Sequence, residues 1–294
     1  MTLDTIVVTG GNGTVGSAIL KHLNEHGYTT VNLARGRRRE TASDRYVRTD
    51  LLDAGETYGA LAKADADAIV HVGTIPDPHG NPDFVVYESN VVSSVHVLEA
   101  ADALGVDAVC LASSINAMGS EHQERPVEVH YLPVDEPHPR TPDDAYGIAK
   151  HAMEVTASGY GRRPSTDVQI ATLRYPWVVS DDEMREHLVE ADRSLESLDD
   201  GHPAAGRDVL YAYLAVDDAA AAARKAVEAD FDGHESFWTV ASDTTADVST
   251  DELVETAYPS ATVRRPMEGY ESLVDCSKAE TMLGWTPERS WRDL

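Results

Sequence analysis

Thr5-Ile-Val-Val-Thr-Gly-Gly-Asn-Gly-Thr-Val-Gly16 decides the fold. Thr5–Val8 is an apolar, β-branched run that reads as a buried strand. The glycines that follow let the chain turn tightly. Val15, Ala18, Ile19 and Leu23 then recur at helical spacing as far as Gly27, a helix stop. Strand, glycine-rich turn and helix in that order predict a dinucleotide-binding unit. Gly11, Gly13 and Gly16 fit the simple fingerprint, and Gly10, Gly13 and Gly16 fit a wider one. The turn is expected to set Gly10, Asn12, Gly13, Thr14, Val15 and Gly16 against a pyrophosphate at the helix N-terminus.

Working outward, apolar runs at Thr30–Leu33, Tyr46–Arg48, Ala68–Val72, Ala108–Ala112, Val168–Leu173 and Phe237–Val240 alternate with helical patterns. The longest helical patterns are Phe84–Leu104 and Asp143–Gly159, and an alanine-rich one covers Asp217–Ala229. Such alternation implies right-handed crossovers, hence an α/β fold with a Rossmann-like, doubly wound parallel sheet. Residues 1–174 are expected to form the nucleotide-binding domain, with 210–242 returning to it. Residues 175–209 and 243–294 are expected to build a small C-terminal substrate lobe over the strand ends.

The end of the second strand addresses which dinucleotide binds. NAD enzymes usually place an acid there for the ribose 2′-hydroxyl. This chain has Arg35-Gly36-Arg37-Arg38-Arg39 instead. A charge-assisted hydrogen bond is worth about 1.5–3 kcal/mol. One or two arginines, Arg35 and Arg38 foremost, could thus favour a 2′-phosphate by on the order of 10–100-fold. NADP is the expected cofactor, with NAD possible.

Tyr146 and Lys150 are four apart and share one helix face. A phenol near pKa 10 is a weak base at neutrality. An ammonium about 4 Å away contributes about 4 kcal/mol at an effective dielectric of 20 and is expected to bring that pKa down. Tyr146 then reads as an acid/base, Lys150 as its tuning cation and ribose ligand, and a serine of Ser113–Ser114 as the hydroxyl that polarises the substrate oxygen.

Composition narrows the setting. Against 51 acidic residues stand 24 basic ones, a formal net charge of −27, and only five residues are lysine. That surface suits concentrated salt and argues against nucleic acid or an anionic membrane as partner. No apolar run approaches the ~18 residues of a membrane helix. No leader pattern precedes Thr5, and Cys110 and Cys276 lack metal-ligand spacing, so a reducing, cytoplasmic location is expected. The histidines at 71, 79, 122, 130, 138 and 151 form no supported ligand set, and no metal is expected.

Taken together, the chain resembles an extended short-chain dehydrogenase/reductase of the epimerase/dehydratase-like branch. The match rests on the Thr9–Gly16 turn, Asp50-Leu51, Ala68-Ile-Val-His-Val-Gly73, Asn90 with its Asn-Val-x-x-Ser pattern, and Ser113-Ser114. It continues through Tyr146–Lys150, Val216-Asp217-Asp218, and Asp275-Cys-Ser-Lys-Ala with Leu283-Gly-Trp. The resemblance implies Ser114 as the polarising serine, with Ser113 as alternative, Tyr146 as acid/base and Lys150 on the ribose. It implies Asp50 and Leu51 at the adenine, and Val72, Gly73 and Asn90 also on the cofactor. Thr74, Asn116 and Trp177 are candidate substrate contacts. Ser114-Ile115-Asn116 stands where dehydratases carry an Asp-Glu pair beside a threonine, so dehydration is not expected.

Ala112-Ser-Ser-x-Asn and the compact tail are similar to uronate and aldose 1-dehydrogenases, which oxidise a cyclic sugar at C1 to a lactone. Uronate enzymes have Asn-His after the serine, whereas Ile115-Asn116 follows here, which favours a neutral aldose. The alternative is a nucleotide-sugar 4-epimerase with tightly bound NAD, in which Arg264-Arg265 could hold the diphosphate. A non-catalytic NADP-binding redox sensor is a third reading. The resemblance also implies a homo-oligomer, dimer or tetramer, paired through the two long helices.

Overall fold

A computed structural model describes residues 3–194, 196–197 and 205–294. Part of the expected lobe segment 175–209, namely 195 and 198–204, lies outside the described residues. In chain order the first half runs β1 (Thr5–Thr9), α1 (Thr14–Glu25), β2 (Thr29–Ala34), β3 (Arg45–Arg48), α2 (Ala54–Ala64) and β4 (Ala68–His71). There follow α3 (Asp83–Tyr87), α4 (Ser93–Leu104), β5 (Ala108–Ser114), β6 (Tyr131–Leu132) and α5 (Ala145–Gly161). The second half adds β7 (Gln169–Tyr175), β8 (Trp177–Val179), α6 (Asp181–Met184), β9 (Tyr213–Ala215), α7 (Val216–Glu228) and β10 (His234–Trp238). It closes with α8 (Thr250–Ala257), β11 (Thr262–Val263) and α9 (Ser277–Leu283).

The main sheet has seven strands in the order β10-β7-β5-β4-β1-β2-β3, every pair parallel. This is the Rossmann-like α/β architecture. Alternation along β1 divides the core: Ile6 and Val8 face α1 and α7, while Val7 faces the layer that contains Leu61, Leu98 and Met153. The buried alanines of α7, among them Ala219, Ala220, Ala222 and Ala223, leave room for α1 to pack closely. The chain changes direction between β1 and β4, where a crevice opens beyond the strands' C-terminal ends.

The segment read as one helix, Phe84–Leu104, begins at Asp83 and passes through a π-helical turn, Glu88–Val92, before α4. Ahead of the alanine-rich helix, the short β9 pairs with β8 outside the main sheet. A further core gathers Ile115, Met118, Val127, Leu132 and Val134 with Val209–Ala212, Leu253, Leu273 and Val274. The packing around the tail thus recruits residues from before 174 and around 210. No helix among the described residues is long and apolar enough to cross a membrane.

Candidate active site

The crevice, about 1020 Å³, is lined by residues at the C-terminal ends of β1, β2, β4, β5 and β7: Gly10, Leu33, Ala34, Val72, Ala112–Ser114 and Tyr175. Gly10 has a φ of +72°, and a Cβ there would lie 2.6 Å from the Gly73 Cα. A Cβ on Gly16 would lie 2.5 Å from the Gly10 carbonyl oxygen. Gly13 caps α1 without a side-chain hydrogen bond, and no acid occupies the first turn. The result is an uncovered helix N-terminus of the kind that accepts phosphate. Asn12, Thr14 and Val15 line the same end, as do Asp50, Leu51, Val72 and Gly73.

The arginine-rich loop is held from behind. Asn12 Nδ2 donates to the Arg37 carbonyl at 3.2 Å, and the Arg39 N–H donates to Asn12 Oδ1 at 2.9 Å. Arg38 Nε donates to Glu40 Oε1 at 3.0 Å, and its guanidinium also binds the Ser43 carbonyl. Glu40 in turn accepts from Asn32 Nδ2 at 3.0 Å and Ser43 Oγ at 2.6 Å. Burial works against the Glu40 carboxylate, but bonds from Asn32, Ser43 and Arg38 hold its pKa down at about 2. Arg38, expected on the cofactor, therefore points into the loop; Arg35 and Arg39 line the crevice. Asn90 departs from expectation too. It is buried, donating to the Ile75 and Val86 carbonyls at 3.1 and 2.9 Å, and it supports the loop after β4 without lining the crevice.

At the other end, Asp144 caps α5 by accepting from the N–H groups of Tyr146 and Gly147 at 2.9 and 2.8 Å. This fixes the first turn, from which Tyr146 reaches the crevice beside Ser114, Asn116 and Thr74. The neighbouring serines differ. Ser113 Oγ donates to Glu154 Oε1 at 2.6 Å, whereas Ser114 Oγ accepts from the Asn116 N–H at 3.1 Å and Asn116 Nδ2 at 3.3 Å. Glu154 also takes Arg174 Nε at 3.0 Å and Arg174 Nη2 at 2.8 Å, with Arg140 alongside. That buried network ties α5 to β5 and β7.

Lys150 is 2% exposed. Its Nζ donates to the Ala112 carbonyl at 2.6 Å and to Thr74 Oγ1 at 3.2 Å, and it lies 5.5 Å from the Tyr146 ring centroid. Burial lowers its pKa to about 7, with Glu154 opposing. Burial pushes Tyr146 up to about 12; a hydrogen bond from Ser114 opposes the rise, and Asp144, Glu121 and Asp77 add to it. The expected downward pull of the ammonium on the phenol is thus overridden by desolvation of both groups. Nearby His71 is a buried strand histidine, its Nδ1 2.8 Å from Thr9 Oγ1 and its Nε2 3.2 Å from Ser93 Oγ.

Trp177, Glu121, His122 and Asp77 complete the substrate end. Only Trp177 was anticipated; the others sit in loops without periodicity. Arg264 and Arg265 do not line the crevice: Arg264 pairs with Asp135 at 3.0 Å and stacks over Tyr131, and Arg265 pairs with Glu271. No grouping of metal-ligating side chains occurs among the described residues.

Residues 6–241 match the sequence model of the NAD dependent epimerase/dehydratase family. The chain belongs to this family. This is the extended branch of the short-chain dehydrogenases/reductases. Its relatives include both sugar dehydrogenases and UDP-glucose 4-epimerases. An L-arabinose 1-dehydrogenase (NAD(P)(+)) of Haloferax volcanii is 29% identical over 63% of this chain and 71% of that protein. A putative UDP-glucose 4-epimerase of Methanocaldococcus jannaschii is 29% identical over 58% of this chain. The match spans about half of that epimerase, 54%. The solved UDP-glucose 4-epimerase of Thermotoga maritima, bound to UDP-glucose, superposes with a TM-score of 0.71 at 20% identity over 97% of this chain and 94% of its own. That likeness establishes the fold.

Proposed function

We propose that this family member is an NADP-preferring sugar dehydrogenase that oxidises a free aldose at C1. The observation that carries the reading is the charge layout of the crevice. Among the described residues that line it, arginines occur only at the nucleotide end, as Arg35 and Arg39, and Lys150 lies buried near Tyr146. Asp77 and Glu121 occupy the substrate end, and Arg264 and Arg265 are paired elsewhere. A diphosphate would meet carboxylates there with no arginine or lysine among the described lining residues to compensate, which disfavours the nucleotide-sugar 4-epimerase.

The glycine cradle and the uncovered α1 N-terminus fit a dinucleotide, held by Gly10, Asn12–Gly16, Arg35, Arg39, Asp50, Leu51, Val72 and Gly73. When bound, it supplies the hydride acceptor. Ser114 donates to the reacting oxygen and orients it; Ser113 is committed to Glu154. With Ser114 and the bound substrate stabilising its phenolate against burial, Tyr146 takes the hydroxyl proton at its own oxygen as the carbon is oxidised. Lys150 binds ribose and supplies positive charge below Tyr146. Thr74, Asn116 and Trp177 contact the sugar.

The same reading includes pairing of two copies through α3 and α5, whose Phe84 (70% exposed), Tyr87, Ile148 and Val155 present apolar surface to solvent. The function is tested by following NADP reduction in high salt with a panel of free aldoses and uronates. Net reduction with a neutral aldose supports it; none with any sugar overturns it.

A further inference from the structure

We infer that Glu121 is a specificity-determining residue that accepts hydrogen bonds from a neutral sugar and excludes anionic ones. The inference rests on the dehydrogenase reading and names the chemistry that distinguishes its substrates. Glu121 lines the crevice next to His122, whose ring meets the Tyr146 ring edge to face at 5.7 Å between centroids. Among the described residues no hydrogen bond reaches its carboxylate. Burial, with Asp77 and Asp208 nearby, raises its pKa, and His122 and His79 oppose the rise. Asp77, at the same end of the crevice, is already engaged by the His79 N–H at 2.7 Å and the His79 ring at 2.6 Å. Glu121 is therefore the acceptor left open beside the reacting tyrosine.

Its position is built, because one ladder of hydrogen bonds fixes it relative to the polarising serine. Ser114 Oγ accepts from Asn116, and Asn116 Oδ1 accepts from Ser120 Oγ at 2.7 Å, one residue before Glu121. The Gln123 N–H closes the turn on the Ser120 carbonyl at 3.2 Å. A hydroxyl-bearing ring presented to Ser114 and Tyr146 would offer donors to this carboxylate. A sugar carboxylate or phosphate in the same place would meet like charge in a partly desolvated crevice. Relatives named uronate dehydrogenase and NAD-dependent glucose-6-phosphate dehydrogenase make this distinction a meaningful one.

The test compares kcat/KM for galactose and galacturonate, in wild type and Glu121→Gln, with calorimetric binding of both sugars to the NADP-loaded protein as a second readout. Wild type is expected to favour the neutral sugar by about tenfold or more, and Glu121→Gln to shrink that ratio by about tenfold, with NADP affinity unchanged. Equal use of the uronate by wild type, or an unchanged ratio in Glu121→Gln, would overturn the inference. Discrimination in binding without turnover of either sugar would uphold Glu121 and overturn the dehydrogenase reading instead.

Discussion

The Lys150 ammonium lies 5.5 Å from the centre of the Tyr146 ring and donates its hydrogen bonds to Ala112 and Thr74. Both groups are buried, so each neutral form is favoured. Desolvation costs the phenolate more than a cation at that range returns. Proton chemistry at Tyr146 thus depends on Ser114 and on whatever fills the crevice.

This burial has a consequence for stability. Lys150, lowered from 10.5 to about 7, gives up its proton in the fold while the unfolded chain still holds one. Its contribution therefore rises with pH from about 7 to about 10.5 and is lowest, and flat, below that window. Denaturant unfolding of wild type and Lys150→Met should show wild type gaining relative stability between neutral and mildly alkaline pH, by more than about 1 kcal/mol. Tyr146, raised from 10 to about 12, acts oppositely at higher pH, since the unfolded chain ionises first. Parallel stability curves would contradict the account.

Cofactor choice follows from the loop behind β2. Arg39→Ala or Arg35→Ala should reduce the NADP-over-NAD affinity ratio by about tenfold each, measured by calorimetry. Arg38→Ala should leave the ratio within about twofold, because its guanidinium is spent on Glu40 and Ser43. A ratio governed by Arg38 alone would contradict this arrangement.

Gly16→Ala should abolish measurable dinucleotide binding, since the new Cβ would sit 2.5 Å from the Gly10 carbonyl oxygen and push the turn out of shape. Undiminished binding would show that the cradle lies elsewhere.

Glu154→Gln removes the carboxylate that two arginines and Ser113 share, leaving buried cations uncompensated. Loss of one partner from such a network costs about 3–5 kcal/mol. Thermal unfolding should move accordingly, and an unchanged midpoint would mean the network is not stabilising.

Much of this was legible in sequence. The seven main strands and the glycine turn announce themselves because apolar runs and glycines carry their geometry locally. Orientation within a turn does not: Arg35, Arg38 and Arg39 look alike until Glu40 and Asn32 draw the middle one inward. Asn90 fits a family pattern yet is consumed by the Ile75 and Val86 carbonyls. β8 and β9, three residues each, are too short to show a period. Glu121 and His122 enter the site through loop closure, which no spacing encodes. The Tyr146–Lys150 separation reads correctly as one helix face, but burial, which reverses the expected shift, arises from the whole fold.

The central claim is that Tyr146 accepts the proton as a free aldose is oxidised. It is tested most directly by initial rates of NADP reduction with neutral aldoses, for wild type and Tyr146→Phe side by side, with NADP affinity measured on both. Wild type should reduce added NADP, and Tyr146→Phe should lose about 100- to 10,000-fold in kcat with affinity unchanged. Retained turnover in Tyr146→Phe, or no NADP reduction by wild type alongside interconversion of UDP-glucose and UDP-galactose, would contradict it.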